Sequence, residues 1–265
     1  MSLGLMAFAV PQISWRCSFP GRRLETGTSL RVAASMNYSS PNSPGQERLV
    51  NQLKHHLATS HSYLPVGKNG RDDDELLLWF LQDRKFDVPK AGTKLANYIK
   101  WREDFGVNSI TDDSIRKIAS SGKAYLNSSP DVKGRPVLVV VAAKHFPREE
   151  EALASQKLCV HLVEMALQNL PPGGDQILGI FDLRGFNAAN ADLTFLKFLI
   201  DVFYSYYPRR LAEVLFVDAP FVFQPVWMLV KPLLKSYASL VRFCTAESVR
   251  RDYFTQDTVP LDFRK

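Results

Sequence analysis

The stretch that decides the fold is ILGIFDLRGFNAANADLTFLKFLIDVFYSYYPRRLAEVLFV, residues 177–217. It opens with an apolar run at 177–181 and ends with another at 214–217, each with the length and composition of a buried strand. Between them, residues 193–206 have the period of a helix. A helix between two buried strands predicts a parallel pair joined by a crossover connection.

The same alternation continues on both sides of this unit. A β-branched run at 136–142 and a fourth strand at 240–243 flank it, and long helices are predicted at 149–170 and 222–234. Strands that alternate with helices of this length are typical of an α/β fold with a mainly parallel sheet. We therefore expect an α/β domain at residues 121–265.

The residues before this domain have a helical period instead. Apolar residues recur at helical spacing from Leu49, and a dense apolar segment follows at 76–81. A third helix is predicted to start at Pro89, an allowed first-turn position, and to end at Gly106. Residues 46–120 are therefore predicted to form a small all-helical module that precedes the α/β domain.

The first 35 residues have the composition of a targeting segment. They are rich in serine, contain four arginines and one acid, Glu25, and their opening 15 residues carry no charged side chain. This pattern predicts a plastid transit peptide at 1–35, and with it a chloroplast location, in the stroma and peripheral to envelope or thylakoid membranes. A secretory signal at 3–10 is the alternative, but no basic residue precedes that run and Pro11 follows it.

The motifs of the common α/β enzymes do not occur in the sequence. It contains no Gly-x-x-x-x-Gly-Lys-Ser/Thr loop, no Gly-x-Gly-x-x-Gly, no Gly-x-Ser-x-Gly elbow and no His-Glu-x-x-His. Asp182-Leu-Arg-Gly185 imitates a nucleotide-binding turn but has no phosphate loop to accompany it. His161 and Glu164 share a helix face without a third metal ligand. We therefore predict no enzyme activity, no cofactor and no metal site.

The formal net charge of +6 favours an anionic partner, either nucleic acid or acidic lipid. No uninterrupted apolar run approaches the roughly 20 residues of a spanning helix, so we expect a protein that visits membrane surfaces. Cys17, Cys159 and Cys244 are too few and too scattered for a disulfide framework or a zinc site. They are expected to be apolar filler in a reducing compartment.

Two predicted helices carry more apolar surface than one contact would cover. In the helix at 193–206, one stripe contains Leu193, Leu196, Ile200 and Phe203, and a second contains Phe195, Phe198, Val202 and Tyr206. Such a helix must be covered on both sides. The segment at 221–230, FVFQPVWMLV, has no charge in ten residues. It fits a buried core helix as well as a lid over an apolar ligand.

Several ordered motifs resemble one protein family. They are Phe80-Leu-Gln-Asp-Arg-Lys-Phe-Asp87, Trp101-Arg102, Ile180-Phe-Asp-Leu-Arg-Gly185, Tyr207-Pro208, Phe216-Val-Asp-Ala-Pro220 and Lys231-Pro232. At this spacing they resemble the CRAL-TRIO family of lipid-binding proteins, which includes yeast phosphatidylinositol transfer protein and the retinaldehyde- and tocopherol-binding proteins. The resemblance covers residues 73–263.

The resemblance implies an apolar pocket that the sheet floors and a mobile gate helix closes. By position, residues 222–234 are the gate helix. The expected gate residues are Phe221, Phe223, Val226, Trp227 and Val230. The expected pocket residues are Phe181, Leu183, Phe195, Phe198 and Val202.

The resemblance also implies that Arg84 and Lys85 hold a lipid phosphate, because an Arg-Lys pair does so in phosphoinositide-binding members. The sequence departs from that pattern at Ala238 and Val241, where a Thr and a Lys are expected, and at Arg209, where an acid is expected. These departures favour a more anionic headgroup, such as phosphatidic acid or a phosphoinositide. The predicted headgroup residues are Arg84, Lys85, Arg209 and Arg242.

The leading hypothesis is a protein that transfers or presents an acidic phospholipid at plastid membranes without covalent chemistry. One alternative is a carrier of a terpenoid such as a carotenoid or tocopherol. A second is a membrane-recruited protein that regulates a partner or vesicle formation. All three have a hydrophobic ligand or a membrane surface as partner and none has nucleic acid, while protein partners stay open.

Overall fold

A five-stranded sheet forms the centre of the computed structural model, which describes residues 43–264. The strands are β1 Ala124–Leu126, β2 Val137–Val141, β3 Ile177–Asp182, β4 Leu211–Val217 and β5 Val241–Cys244. They lie in chain order; β2 to β5 are parallel, and β1 pairs with β2 in the antiparallel direction. The predicted α/β fold with a mainly parallel sheet is confirmed.

Eight α-helices accompany the sheet within the described residues. They are α1 Pro44–Ser60, α2 Asp74–Asp83, α3 Val88–Phe105, α4 Asp112–Ala119, α5 Glu149–Gln168, α6 Leu193–Asp201, α7 Gln224–Leu234 and α8 Ala246–Tyr253. Strand β1 and helix α8 were not predicted from the sequence. Both are short, and α8 is mostly polar, so neither produces a strong apolar period.

The two faces of the sheet have different covers because side chains alternate along each strand. Val139, Ile180 and Leu215 point to a core that includes Val249 of α8 and Phe263 near the C-terminus. Residues of opposite parity on the same strands point to α5, α6 and α7. An apolar cavity covered by helices lies on this second face.

The helices before the sheet are capped at their ends, and α3 begins at Val88, one residue before the predicted start at Pro89. Asp73 caps α2 by accepting a hydrogen bond from the backbone N–H of Leu76, and Asp87 caps α3 in the same way. Gly106, with φ of 70°, ends α3 in the left-handed conformation. The described residues belong to one compact unit, and the predicted boundary at residue 120 stays a prediction.

A buried polar cluster joins α3 to α5 and to the end of α6. The guanidinium of Arg102 lies 2.7 Å from Glu164 and donates to the hydroxyl of Tyr98, and the Tyr207 hydroxyl donates to Glu164 at 2.5 Å. Burial raises the pKa of Tyr98 to about 12 and that of Tyr207 well above its usual value. The indole of Trp101 stacks on Tyr206, with ring centroids 3.9 Å apart.

The helix predicted at 193–206 changes its hydrogen-bonding pattern partway along. It is an α-helix to Asp201 and a π-helix over Val202–Tyr206, and the N–H of Tyr207 donates to the carbonyl of Val202, five residues back. Pro208 follows directly and has no N–H to donate. The helix therefore ends with carbonyl groups that its own backbone leaves without donors.

Replacing Arg102 with Ala should lower the free energy of unfolding by about 3 kcal/mol, because it leaves Glu164 partly buried without its cation. The side chains of Arg102 and Glu164 are 5% and 23% exposed. Urea unfolding measures the change. Lys100→Ala is the control, because that exposed partner of Asp104 is worth less than about 1 kcal/mol. Equal urea midpoints for the two variants would contradict the prediction.

Candidate functional site

An apolar cavity of about 100 Å³ lies between the sheet, α6 and α7. Its walls come from β2 to β5, from one stripe of α6, from α5 and from α7. They are formed by Leu138, Val140, Cys159, Gly179, Phe181, Leu196, Leu199, Ile200, Phe203, Leu211, Val214, Phe216, Val230, Leu234, Tyr237 and Val241. None of these side chains is charged, so the cavity selects for hydrocarbon.

Helix α7 is apolar on both of its faces. Val226 and Val230 are buried against the core beside the cavity, as the expected inner face requires. Met228, Leu229 and Leu233 point away from it and are 70%, 59% and 50% exposed. A surface helix normally places charged side chains on its outer side. The outer face of α7 is therefore an apolar patch without a cover among the described residues.

Non-glycine residues with positive φ stand at both ends of the α7 segment. Asp218, between β4 and α7, has φ of 46°, and Lys235, directly after α7, has φ of 48° and ψ of −121°. These conformations cost a side-chain-bearing residue on the order of 1–3 kcal/mol. Pro232 also interrupts the hydrogen bonds inside the last turn of α7. Hinge motions use positions of this kind.

An open pocket of about 360 Å³ lies next to the cavity and is lined mainly by polar side chains. Its lining residues are Asp83, Arg84, Lys94, Gln176, Tyr204, Arg209, Leu211, Ser236, Tyr237 and Leu240. We call it the cationic pocket, because three cations, Arg84, Lys94 and Arg209, face one carboxylate, Asp83.

Hydrogen bonds and ion pairs hold these cations in place. Asp83 accepts from Lys94 at 2.8 Å and pairs with Arg84 at 3.1 Å, and Arg209 donates to the carbonyl of Gln82 at 3.3 Å. Burial lowers the pKa of Lys94, and Asp83 opposes that shift. Among the charged side chains that line the pocket, three are cations and one is a carboxylate.

The cationic pocket and the apolar cavity share a wall. Leu211 and Tyr237 line both of them. An elongated amphipathic molecule could therefore place an anionic end in one and a hydrocarbon end in the other.

Only one of the five predicted pocket residues, Phe181, lines the cavity. The α6 stripe that faces the cavity contains Leu196, Ile200 and Phe203, not the stripe containing Phe195, Phe198 and Val202. Phe198 stacks near Phe105 of α3, with centroids 6.1 Å apart, and Phe195 stacks on His145. The other two residues, Val202 and Leu183, are buried in core clusters. The assignment was reversed because both stripes are apolar and the helical module covers one of them.

The five residues predicted for the gate helix differ in their exposure. Phe223, Val226 and Val230 are buried, and Trp227 is partly buried against Phe216 and Phe243. Phe221 precedes the helix and is exposed.

The structure brings together two of the four predicted headgroup cations. Arg84 and Arg209 line the cationic pocket, while Lys85 and Arg242 do not. Lys85 follows α2 with φ of 53°, and Arg242 lies on β5 and donates to the carbonyl of Ser239. Lys94 and Tyr237 were missed, because a lysine on a helix and a tyrosine in a short loop carry no signal in one sequence.

The other chemistry-bearing residues are engaged in structural contacts. Asp182 is buried and accepts from the backbone and the guanidinium of Arg184, as expected for a strand end. His161 pairs with Asp112. Within residues 43–264 no three His, Cys, Asp or Glu side chains are grouped as a metal site, and no helix there is long and apolar enough to cross a bilayer.

The chain is similar in sequence to one protein family and to several of its members. The CRAL/TRIO domain model matches residues 119–263. The phosphatidylinositol transfer protein CSR1 of Eremothecium gossypii is 28% identical over 202 residues, which are 71% of this chain and 46% of that protein. The SEC14 cytosolic factor of Yarrowia lipolytica is 31% identical over 207 residues, 71% of this chain and 41% of that protein. The chain thus spans less than half the length of these relatives.

The fold is also similar to that of a solved structure. The crystal structure of Sfh5 aligns with a TM-score of 0.62 at 16% sequence identity, over 78% of this chain and 83% of that one. At this identity the similarity concerns the fold alone.

Cys159 lines the cavity, and burial raises the pKa of its thiol to about 12 from the ordinary 9.0. Because the thiolate is the form that reacts, alkylation by iodoacetamide at pH 8 should be at least about tenfold slower than in the unfolded chain. Mass spectrometry of the Cys159 peptide measures both rates. Similar rates in native buffer and in urea would contradict this prediction.

Proposed function

The chain belongs to the CRAL/TRIO family, and on that basis we propose that it binds and transfers a phospholipid. The acyl chains would occupy the apolar cavity, and the phosphate would lie between Arg84 and Arg209 in the cationic pocket. The observation that carries the proposal is the common wall of the two spaces, formed by Leu211 and Tyr237. The printed names of the relatives, a phosphatidylinositol transfer protein among them, support it.

Helix α7 acts in this proposal as the gate of the cavity. A cavity of about 100 Å³ is smaller than the roughly 300–1,000 Å³ of usual ligand pockets, so acyl chains enter only if a wall moves. Of the walls, α7 has the exposed outer face and is bounded by the strained residues Asp218 and Lys235. Gate opening needs no covalent chemistry, and the proposal assigns none.

The charge of the cationic pocket supports an acidic headgroup. Arg84, Lys94 and Arg209 exceed Asp83 by two positive charges, and an arginine presents a planar donor fork that fits a phosphate. Phosphatidic acid and phosphoinositides carry a phosphate monoester that would neutralise this excess. The trimethylammonium group of phosphatidylcholine would be repelled.

The site of action that we propose is a plastid membrane surface. The outer face of α7 combines Met228, Leu229 and Leu233 with Lys231, a pattern that suits the interface of a bilayer with anionic lipids. The plastid location is supported by the composition of residues 1–35, which lie outside the described residues.

A terpenoid cargo is the second candidate, and the lining of the cavity favours it. Its walls contain no charged side chain, so a carotenoid or tocopherol would be accommodated without using Arg84 or Arg209. The two cargoes make opposite predictions for variants of those cations.

Replacing Arg84 and Arg209 together with Ala should slow transfer of phosphatidic acid between vesicles about tenfold or more, because charge-assisted hydrogen bonds to phosphate are lost. A fluorescent phosphatidic acid and quenched acceptor vesicles measure the rate. Arg116→Ala with Lys133→Ala is the control, since it removes the same charge from exposed positions outside the pocket. An unchanged rate would show that Arg84 and Arg209 do not hold the phosphate. Wild-type transfer of acidic and neutral phospholipid no faster than in buffer would contradict the proposal.

Replacing Leu229 with Asp should weaken binding to vesicles about tenfold, because the exposed face of α7 would carry a charge instead of an apolar side chain into the interface. Co-sedimentation with vesicles containing phosphatidic acid measures the binding. Leu261→Asp is the control, because Leu261 is 74% exposed next to the core on the opposite face of the sheet. Equal losses would show that α7 is not the membrane contact. Vesicle binding by the wild type without transfer would point to the membrane-recruited regulator.

A further inference from the structure

The end of the π-helix leaves two carbonyl groups in need of donors. A π-helical hydrogen bond to the carbonyl of Phe203 would come from the N–H of residue 208. An α-helical hydrogen bond to the carbonyl of Tyr204 would come from the same N–H. That residue is Pro208, which has no N–H. Side chains from elsewhere take its place: Lys94 donates to Tyr204 at 2.8 Å, and the hydroxyl of Tyr237 donates to Phe203 at 2.9 Å.

Tyr237 comes from the segment that follows α7, the 3-10 turn Lys235–Leu240. Its hydroxyl also accepts a hydrogen bond from the backbone N–H of Arg209 at 3.0 Å. The phenol thus holds the distal end of the α7 segment to two backbone groups that do not belong to it. The pKa of this phenol is raised, mainly by burial. The hydroxyl therefore keeps its proton and stays a donor.

The backbone of Lys235, whose ammonium lies over the ring of Tyr204, has an unfavourable conformation. Lys235 lies two residues before Tyr237, with φ of 48° and ψ of −121°, a backbone conformation that glycine tolerates and a lysine adopts only at a cost. Movement of α7 that rotates this residue into an ordinary conformation would relieve the strain. It would also pull Tyr237 away from Phe203.

We propose that Tyr237 is the latch of the gate, holding α7 closed through the Phe203 carbonyl and the Arg209 N–H against the strain at Lys235. The proposal rests on the proposed function in treating α7 as a gate. Tyr237 is a positioning residue in this role, because it acts on the cargo through the position of α7. Its ring stays in the wall of the cavity, and only its hydroxyl makes the latch.

The experiment measures gate opening in the absence of lipid. In the full chain with Cys17→Ser and Cys244→Ser, Cys159 is the one remaining thiol, and it lines the cavity. Its alkylation by N-ethylmaleimide then reports how often the cavity opens. Tyr237→Phe keeps the ring, removes the hydroxyl, and should increase the alkylation rate about tenfold.

Tyr125→Phe is the matched control for the hydroxyl. It removes a comparable hydrogen bond, from Tyr125 to Asp262 at 2.9 Å, beside the core on the opposite face of the sheet. It should change the alkylation rate less than twofold, even if the urea midpoints of the two variants fall equally. Equal alkylation rates for Tyr125→Phe and Tyr237→Phe would overturn the latch.

Lys235 supplies a second, independent measurement. Lys235→Ala is the reference variant, because it removes the ammonium that lies 5.1 Å from the centre of the Tyr204 ring but keeps the Cβ. Lys235→Gly should be alkylated about fivefold more slowly than Lys235→Ala, because glycine adopts the closed backbone conformation without a Cβ clash. A faster rate for Lys235→Gly than for Lys235→Ala would also overturn the proposal.

The latch and the proposed function fail in different ways. Alkylation is measured without lipid, so the latch can be overturned in a protein that transfers phospholipid normally. Conversely, a wild-type protein that transfers no phospholipid would contradict the proposed function, whatever the alkylation rates are. In a transferring protein, Tyr237→Phe should also release bound fluorescent phosphatidic acid about tenfold faster.

Discussion

The constraint on which this structure depends is the missing N–H of Pro208. Without that N–H, the carbonyls of Phe203 and Tyr204 have no backbone donor at the end of the π-helix. Tyr237, after α7, and Lys94, of α3, supply the two hydrogen bonds. The carbonyl of Pro208 itself accepts from the indole of Trp79 in α2 at 2.8 Å. One short stretch of backbone thus connects α2 and α3, the start of β4 and the segment that follows α7. Tyr237 lines both the cationic pocket and the apolar cavity.

The sequence contained enough information for the four parallel strands but not for β1 or for the helix faces. Runs such as 137–141 and 177–182 are buried on both sides, so their apolar residues are consecutive and their boundaries are clear. In α6, by contrast, both stripes are apolar. Which of them faces the cavity is decided by Trp101 and Phe105, which are distant in the chain and cover the other stripe. Periodicity locates apolar stripes but does not identify what covers them.

The cations show the same limit in another form. Arg84 and Arg209 were predicted from motif positions, and the fold brings them to one pocket. Lys85 was predicted with Arg84 because the two are adjacent, yet the positive φ that ends α2 leaves it outside the pocket lining. Lys94 lines the pocket because α3 packs alongside α2, a placement that no sequence motif indicates. A pocket assembled from several segments of the chain can be predicted only to the extent that sequence motifs fix the relative positions of those segments.

The two apolar faces of α7 also bear on where the free energy for the proposed lipid transfer comes from. In water only one face of α7 can be buried, and the cavity side is the one available. At a bilayer the outer face also contacts hydrocarbon. Displacing the helix from the cavity therefore exposes less apolar surface to water there. In the proposed gate, the difference in free energy of α7 between water and the bilayer would drive opening without nucleotide hydrolysis. Loading and delivery would then need no fuel, and the net direction of transport would follow the lipid gradient alone.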